Sequence, residues 1–370
     1  MTKKVLFSVY GYGLGHATRC DAIIKELKSE NKIVASDDAY KYFEKKGANP
    51  TRINSFKIGT IMSGFSWIQT LLQNVDLPLN MINDYNTIKK ASNEFKPDVI
   101  ISDTEPVSLL FTEYANIKNA FLSNIIPTIK DYQLIPSELR DAKLDGQASV
   151  IRILIDRVLR KNDLVLSPTI KRYDMGGKVK FTDLIIRQKP NEVKSEEETR
   201  KEHGLPKDYI LVSFGGAEIS NEYYNTLIPI LKKFENEYFV ISTNNAVKRP
   251  TSGPNMKLYP FINDYLSILK ASKAVITLAG HSTLSEALVY KKPIMVIPIK
   301  DHIEQLVNAA IINNEGYGKA YFYKDDINNE KLQKTIKEFI QKIPEYEANI
   351  KKRDFKGNGA EECARLIEKL

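Results

Sequence analysis

The sequence predicts an α/β protein made of two domains, each built on a parallel β-sheet. The chain has 370 residues, which exceeds one ordinary domain. Short apolar runs of strand length alternate with helical patterns in both halves, as in parallel sheets covered by helices. A polar break with three consecutive glutamates and no apolar periodicity separates the halves.

The polar break sets the predicted domain boundaries. Residues 1–187 form an N-terminal domain, and 188–206 form a linker with a short charged helix. The alternating pattern restarts in residues 207–355, which form the C-terminal domain. Residues 356–370 contain a final helix, which we expect to pack back on the N-terminal domain.

The composition is typical of a globular protein, with 42% hydrophobic and 27% charged residues. The net charge of +8 suits an anionic partner such as a nucleotide or an acidic lipid, although a basic surface without a specific partner explains it equally well. No nucleic-acid-binding motif is found, so no such partner is expected. Cys20 and Cys363 form no CxxC pair, so neither a disulfide framework nor a metal site is expected. No apolar run could span a bilayer and no signal-peptide pattern is found, so we expect a cytoplasmic protein.

The first strand, Lys4–Tyr10, leads into the glycine loop GYGLGH at 11–16 and then a helix. Glycines such as Gly13 and Gly15 let a ligand approach the backbone closely. The spacing is GxGxGH rather than the dinucleotide GxGxxG, and no acidic residue ends the second strand as a ribose-binding residue would. Nicotinamide or flavin binding is therefore disfavoured.

Asp103 and Glu105 follow the strand at 99–102, where parallel sheets bind ligands. Their alternative role is capping of a helix that starts near Pro106. The segment Thr128–Ala148 is predicted to be irregular. The apolar segment Lys57–Leu79 is more simply a core-packing helix and loop than an acceptor or membrane surface.

Residues 274–316 predict a βαβ unit with a glycine turn between its first strand and its helix. Ser282 is the expected N-cap of that helix, with Ser285 or Glu286 in the first turn. Exposed N–H groups and the positive end of the helix dipole can hold an anion such as a phosphate. In isolation, Ser282, Glu286 and Gln305 would be interpreted as two capping residues and a surface residue.

Three motifs in order resemble GT-B glycosyltransferases: GYGLGH at 11–16, LYPFINDYLSILKASKAVITLAGHSTLSEAL at 258–288 and KKPIMVIPIKDHIEQLVNAAIINNEGYG at 291–318. They are most similar to the branch of the peptidoglycan UDP-N-acetylglucosamine transferase and the UDP-glucuronosyl-type enzymes. Uncharacterised archaeal and bacterial transferases share the GLGHATR start and the D-x-E-P of Asp103–Pro106. The resemblance implies two Rossmann-like domains facing a cleft, the C-terminal one binding a nucleotide-sugar, with UDP expected.

The resemblance also implies roles for individual residues on the donor side of the cleft. By architecture, the glycine turn Gly215–Gly216 after the first strand of the second half corresponds to Gly11–Gly15 in the first half. Phe261 and Ile262 would contact the base, and Glu286 would contact the ribose. The diphosphate would be contacted by Gly280, His281, Ser282 and Thr283. Glu304 and Gln305 would contact the sugar. The donor block reads AGHST instead of the commoner GGxxT, so His281 could alter donor preference.

His16 is the candidate base, or else a substrate contact without proton transfer. Asp103 or Glu105 would orient it or act as the base instead. Retaining GT-B enzymes usually carry a glutamate eight residues before the ribose glutamate, and Leu278 stands there, which favours inversion without a metal. The acceptor would be a glycan or a lipid-linked sugar, the latter with Lys57–Leu79 at the inner membrane face. The alternatives are a nucleotide-sugar epimerase or hydrolase on the same fold, and a non-catalytic nucleotide-sugar-binding module.

Overall fold

A computed structural model of the chain describes residues 2–56, 60–61, 64–65, 74, 76–174, 176–215, 220–243 and 253–370. Within these residues, two open sheets of parallel strands, one with seven strands and one with six, organise the two halves of the chain. Gly216 and most of the segment Lys57–Leu79 lie outside the described residues.

The N-terminal sheet has the strand order β3-β2-β1-β6-β7-β8-β9, and a short antiparallel pair, β4 and β5, stands apart from it. The strands are β1 (Lys4–Val9), β2 (Glu30–Ser36), β3 (Thr51–Ile53), β4 (Thr60–Ile61), β5 (Gly64–Phe65), β6 (Val99–Asp103), β7 (Lys118–Leu122), β8 (Leu164–Pro168) and β9 (Val179–Thr182). The helices of this half are α1 (Gly15–Glu26), α2 (Asp37–Lys45), α3 (Leu77–Phe95), α4 (Pro106–Thr112), α5 (Ile125–Lys130) and α6 (Ala142–Lys161).

The C-terminal sheet has the strand order β12-β11-β10-β13-β14-β15. Its strands are β10 (Ile210–Ser213), β11 (Phe239–Ser242), β12 (Met256–Tyr259), β13 (Ala274–Thr277), β14 (Ile294–Val296) and β15 (Gly318–Ala320). The remaining helices are α7 (Glu196–His203), α8 (Ser220–Leu231), α9 (Tyr265–Ala271), α10 (His281–Val289), α11 (Ile303–Asn314), α12 (Asn329–Gln341), α13 (Ile343–Arg353) and α14 (Gly359–Glu368).

Each sheet is buried on both faces, which explains why its strands are continuous apolar runs. In β1, Val5 and Phe7 pack with Cys20 on one face, while Leu6 packs with Ile88 on the other. Side chains alternate between the faces of a strand, so one short run serves both layers of helices.

The connection between the two halves contains the short charged helix that the sequence predicts. Ser195 caps α7, and Glu198 completes a capping box with the Ser195 backbone. After the C-terminal sheet and its helices, the chain returns to the N-terminal half, where α14 packs against α1. The backbone N–H of Lys28 donates to Glu368 at 3.1 Å, and Cys363 lies in the same core as Cys20.

Two local predictions are wrong. The segment Thr128–Ala148 is mostly ordered, because Asp141 caps a helix that begins at Ala142 rather than near Val150. In the C-terminal half, α10 begins at His281, so Gly280 in extended conformation is the N-cap and Ser282 is not. Glu286 consequently lies beyond the first helical turn.

Candidate active site

The site lies where the strand order reverses in both sheets, between β1 and β6 and between β10 and β13. Ligands of open parallel sheets bind outside the carboxyl ends of strands at such points. Helices α1 and α10 begin there and meet across the cleft. A Cβ atom on Gly15 would lie 3.0 Å from the Ser282 Oγ, so the two helix N-termini are nearly in contact.

The glycine loop that starts α1 is tightly placed against β2. A Cβ atom on Gly11 would lie 2.1 Å from the carbonyl oxygen of Ser36, so no larger residue fits there. Gly13 has a φ of 70°, a conformation that favours glycine. The loop delivers His16 to the carboxyl end of β6.

His16 and Asp103 form a dyad at this point. The Nδ1 atom of His16 lies 2.8 Å from the Asp103 Oδ1. The His16 side chain is 22% exposed, whereas Asp103 is fully buried. The ring of Tyr10 meets the imidazole edge-on at a centroid distance of 5.5 Å and restricts its orientation. In this dyad a buried carboxylate orients an imidazole that is partly exposed to the cleft.

Arg19 is a third member of the cluster. Its Nε donates to the Asp103 Oδ2 at 2.7 Å, and its Nη2 donates to the Asp103 Oδ1. Burial alone would raise the pKa of Asp103, but the charges of Arg19 and His16 and their hydrogen bonds hold it well below its usual range. Asp103 is thus a carboxylate at every physiological pH.

The hydrogen bonds of Arg19 select the tautomer of His16. Arg19 Nη2 also lies 3.0 Å from the His16 Nδ1, but it has Asp103 and the Thr104 hydroxyl (3.3 Å) as acceptors for its two protons. Asp103 can only accept, so the His16 Nδ1 donates to it. In the neutral form of the imidazole, the lone pair is then on Nε2, the atom that would accept a proton.

Glu105 is a capping residue in this structure. Its carboxylate accepts from the backbone N–H of Val107 at 3.2 Å and of Ser108 at 2.6 Å, at the start of α4. The hydroxyls of Ser8 and Ser55 donate to it at 3.4 and 3.2 Å. Burial raises its pKa, and these hydrogen bonds oppose that rise. Four donors therefore hold this buried carboxylate, which is the arrangement that the capping interpretation expects.

On the donor side, the N-terminus of α10 faces the dyad. His281, Ser282 and Thr283 are the first three residues of α10, and all three are half-buried. Burial lowers the pKa of His281 to about 4, with Glu304 acting in the opposite direction. The imidazole is therefore neutral near pH 7. The positive potential here comes from the helix dipole and its free N–H groups.

Glu286 is buried and is held by Arg187, the last residue of the predicted N-terminal domain. The Nε of Arg187 donates to Oε1 at 2.6 Å, and its Nη2 donates to Oε2 at 2.8 Å. The guanidinium also lies over the ring of Tyr265, 5.5 Å from its centroid. A carboxylate has about four lone-pair sites, so Glu286 retains acceptors for further donors.

The other predicted donor-side residues are spread around the cleft of the C-terminal half. Phe261 is 59% exposed while Ile262 is buried, so an aromatic face is open beside a buried anchor. Gln305 accepts from the backbone N–H of Ile299 at 3.0 Å, which commits its carbonyl oxygen to the loop, and Glu304 is half-buried beside it. Gly215 follows β10 with a φ of 75°.

Sequence reasoning missed Arg19 and Arg187. Arg19 had a usable signal, because it follows His16 by three residues on a helix and so shares its face. For Arg187 the sequence offered only a cation at a domain boundary, which is no signal by itself.

The chain has two Rossmann-like domains that face a cleft, with a glycine loop on one side and a helix N-terminus suited to a phosphate on the other. This arrangement defines the GT-B fold of glycosyltransferases. The comparison with known families agrees. The model of glycosyl transferase family 1 matches residues 3–344, so this chain belongs to that family and is a glycosyltransferase.

Relatives at low identity extend over nearly the whole chain. An uncharacterized glycosyltransferase of Methanopyrus kandleri is 23% identical over 314 residues, covering 82% of this chain and 84% of the relative. The UDP-N-acetylglucosamine--N-acetylmuramyl-(pentapeptide) pyrophosphoryl-undecaprenol N-acetylglucosamine transferase of Geobacillus kaustophilus is 21% identical, covering 95% and 94%. The structure of MurG from Acinetobacter baumannii superposes with a TM-score of 0.66 at 15% identity, over 100% of both chains. In the part of this chain that the structure describes, no helix is both long and apolar enough to cross a membrane.

Proposed function

We propose that this glycosyltransferase moves a sugar from a UDP-sugar to an acceptor hydroxyl with inversion at the anomeric carbon and without a metal. The observation that carries the proposal is the His16–Asp103 dyad, which faces the N-terminus of α10 across the cleft. A base on one side and an anion-stabilising helix end on the other are the two groups that a direct displacement needs.

In the proposed reaction, the Nε2 of His16 takes the proton of the acceptor hydroxyl as its oxygen attacks the anomeric carbon. The bond from that carbon to the distal phosphate oxygen breaks, and the oxygen leaves with the electron pair. Asp103 stabilises the imidazolium that forms. The N–H groups at the start of α10 stabilise the growing charge on the diphosphate, which lowers the barrier.

Inversion is favoured by the residue eight positions before Glu286. Leu278 stands there and is 7% exposed, so it offers no carboxylate to the opposite face of the sugar. A single displacement needs only one base, which the dyad supplies.

The donor assignment rests on Glu286, Phe261 and the named relatives. Lone pairs left on the Glu286 carboxylate suit the two vicinal hydroxyls of a ribose, and the exposed ring of Phe261 suits the flat face of a base. UDP is favoured over other nucleotides because the relative from Geobacillus kaustophilus is named for a UDP-sugar. His281, Ser282 and Thr283 would contact the diphosphate, and Glu304 and Gln305 the sugar.

For the acceptor we favour a lipid-linked sugar over a soluble glycan. An apolar groove lies on the N-terminal half, lined by Pro78, Met81, Ile82, Tyr85, Asn86 and Leu110. Ile82 in this lining is 60% exposed, and Leu79 in the same helix is 62% exposed. Exposed apolar side chains around a groove suit an apolar carrier. Such an acceptor would place the enzyme peripherally at the inner face of the membrane.

One experiment separates this proposal from its two alternatives. The protein is incubated with a panel of UDP-sugars, with and without lipid-linked and soluble glycan acceptors, and the products are followed by mass spectrometry. Acceptor-dependent transfer of inverted anomeric configuration supports the proposal. Formation of an epimer or of free sugar supports an epimerase or a hydrolase, and binding without turnover supports a binding module.

A further inference from the structure

The mechanism so far leaves one edge of the Arg19 guanidinium unused. Its Nε and Nη2 face Asp103, and Nη2 also reaches Thr104. Within the described part of the chain, Nη1 has no hydrogen-bond partner, although only 9% of the surface of Arg19 is exposed. Nη1 is not fully buried, so this corner of the guanidinium stays accessible to a ligand. The corner of a guanidinium suits an oxygen of an anion.

Arg19 reaches the border between the two halves of the chain. The residue lines a small cavity between α1 and α10 together with Thr18, Ser282, Glu286 and Arg187. The N-termini of α1 and α10 both border this cavity, since Gly15 and Ser282 nearly touch. The one carboxylate in the lining, Glu286, is already paired with Arg187. The donors that remain here are Nη1 of Arg19 on one side and the free N–H groups at the start of α10 on the other, so the complementary ligand is an anion.

We propose that Arg19 binds the distal phosphate of the nucleoside diphosphate across the cleft. This inference rests on the proposed function. Nη1 donates to an oxygen of that phosphate while Nε and Nη2 hold Asp103. When the anomeric carbon–oxygen bond breaks and the phosphate oxygen takes the electron pair, the same guanidinium that stabilises this charge also fixes the base dyad.

This role distinguishes Arg19 from a residue that merely supports the fold. A structural arginine would affect all nucleotides equally when it is removed. A phosphate-binding arginine acts only on ligands that carry the distal phosphate. The difference between diphosphate and monophosphate affinity therefore reports the contact directly.

The test is isothermal titration calorimetry with the pairs UDP and UMP, ADP and AMP, GDP and GMP, and TDP and TMP. The pair with the tightest diphosphate on the wild type is then titrated into Arg19→Gln and Arg19→Lys. We expect Arg19→Gln to weaken diphosphate binding about 10- to 100-fold, the range for a hydrogen bond to a charged group, and to leave monophosphate binding within about twofold. Lys25→Gln, an exposed change on the same helix, serves as the control and should alter neither affinity.

Arg19→Lys keeps a cation beside Asp103 but removes the planar fork, so it decides the question even if Arg19→Gln does not fold. It should lose part of the preference for the diphosphate. Equal losses for diphosphate and monophosphate, or no loss for either, would overturn the inference while leaving the proposed function intact. If the wild type binds none of the four diphosphates, the proposed function itself fails, and the inference fails with it.

Discussion

Replacing Asp103 by asparagine tests whether the buried cluster at the cleft is a tightly coupled ion pair. Asp103 is 0% and Arg19 is 9% exposed, and two N–H groups of Arg19 bind the carboxylate. Asparagine has nearly the same shape but leaves the guanidinium buried without its counter-ion. Breaking such a pair by removing one partner costs about 3–5 kcal/mol. We expect Asp103→Asn to lower the free energy of unfolding of the N-terminal half by that amount.

The assay is urea unfolding of the full chain, followed by circular dichroism, with two reference variants. Lys46→Gln breaks a pair with Asp21 whose lysine side chain is 41% exposed, and it should cost at most about 1 kcal/mol. The double variant Arg19→Met with Asp103→Leu replaces the buried pair by apolar side chains and should recover most of the loss. A loss below about 1 kcal/mol for Asp103→Asn, matching Lys46→Gln, would refute the interpretation of a desolvated pair.

Four further outcomes follow from the same contacts. Because the pKa of Asp103 is lower in the folded state, its ionised carboxylate stabilises the fold above the unfolded pKa of about 3.9, and this stabilisation is lost as the pH falls below that value. The difference in free energy of unfolding between wild type and Asp103→Asn, measured from pH 3 to 8, should therefore be constant above about pH 5 and become smaller towards pH 3. His16→Ala should lower kcat at least about 100-fold with little change in donor affinity, and equal losses in both would indicate a binding role. Glu286→Ala should weaken UDP binding sharply in calorimetry, and an unchanged affinity would contradict the ribose assignment. Gly318→Ala should strongly lower the melting temperature, since its Cβ would lie 1.7 Å from the Ile294 carbonyl oxygen. Gly146→Ala is the control: this position lies within α6 with open space around it, so alanine should raise the free energy of unfolding by about 0.5–1 kcal/mol.

Residues that follow strands directly were predictable from the sequence. Parallel strands end at one edge of a sheet, so His16 after β1 and Asp103 at the end of β6 were expected to share a cleft. The apolar runs identified these strands because each is buried on both faces. This reasoning needs only the strand pattern and the rule for where ligands bind.

Contacts made by long side chains between distant elements were not predictable. Arg19 and Asp103 are 84 positions apart, and Arg187 and Glu286 are 99 apart, so no local pattern links them. The start of α10 was misplaced for a different reason. Ser282 has the side chain of an N-cap, but the extended backbone at Gly280 already allows the helix to begin at His281. Backbone conformation, which depends on the tertiary turn, overrode the capping preference.

The sequence around Glu105 is compatible with two roles, a catalytic carboxylate and a helix cap. Its place after β6 indicated chemistry, while Pro106 behind it indicated a cap. Spacing alone could not decide, because both roles require the carboxylate at the same point. In the structure, the hydroxyls of Ser8 and Ser55 and two backbone N–H groups of α4 donate to its oxygens, which is the arrangement that a cap requires.

The position of α14 has a consequence for how the enzyme is made. Ala360, Cys363 and Ala364 of this helix share a core with Ala17 and Cys20 of α1, yet they are synthesised after the whole C-terminal half. Until α14 has been synthesised, one side of the hydrophobic core of the first sheet is therefore uncovered. The back of the helix that carries His16 and Arg19 is covered only when the donor half already exists. His16 thus reaches its final setting only after α14 has been synthesised, when both halves of the cleft are present.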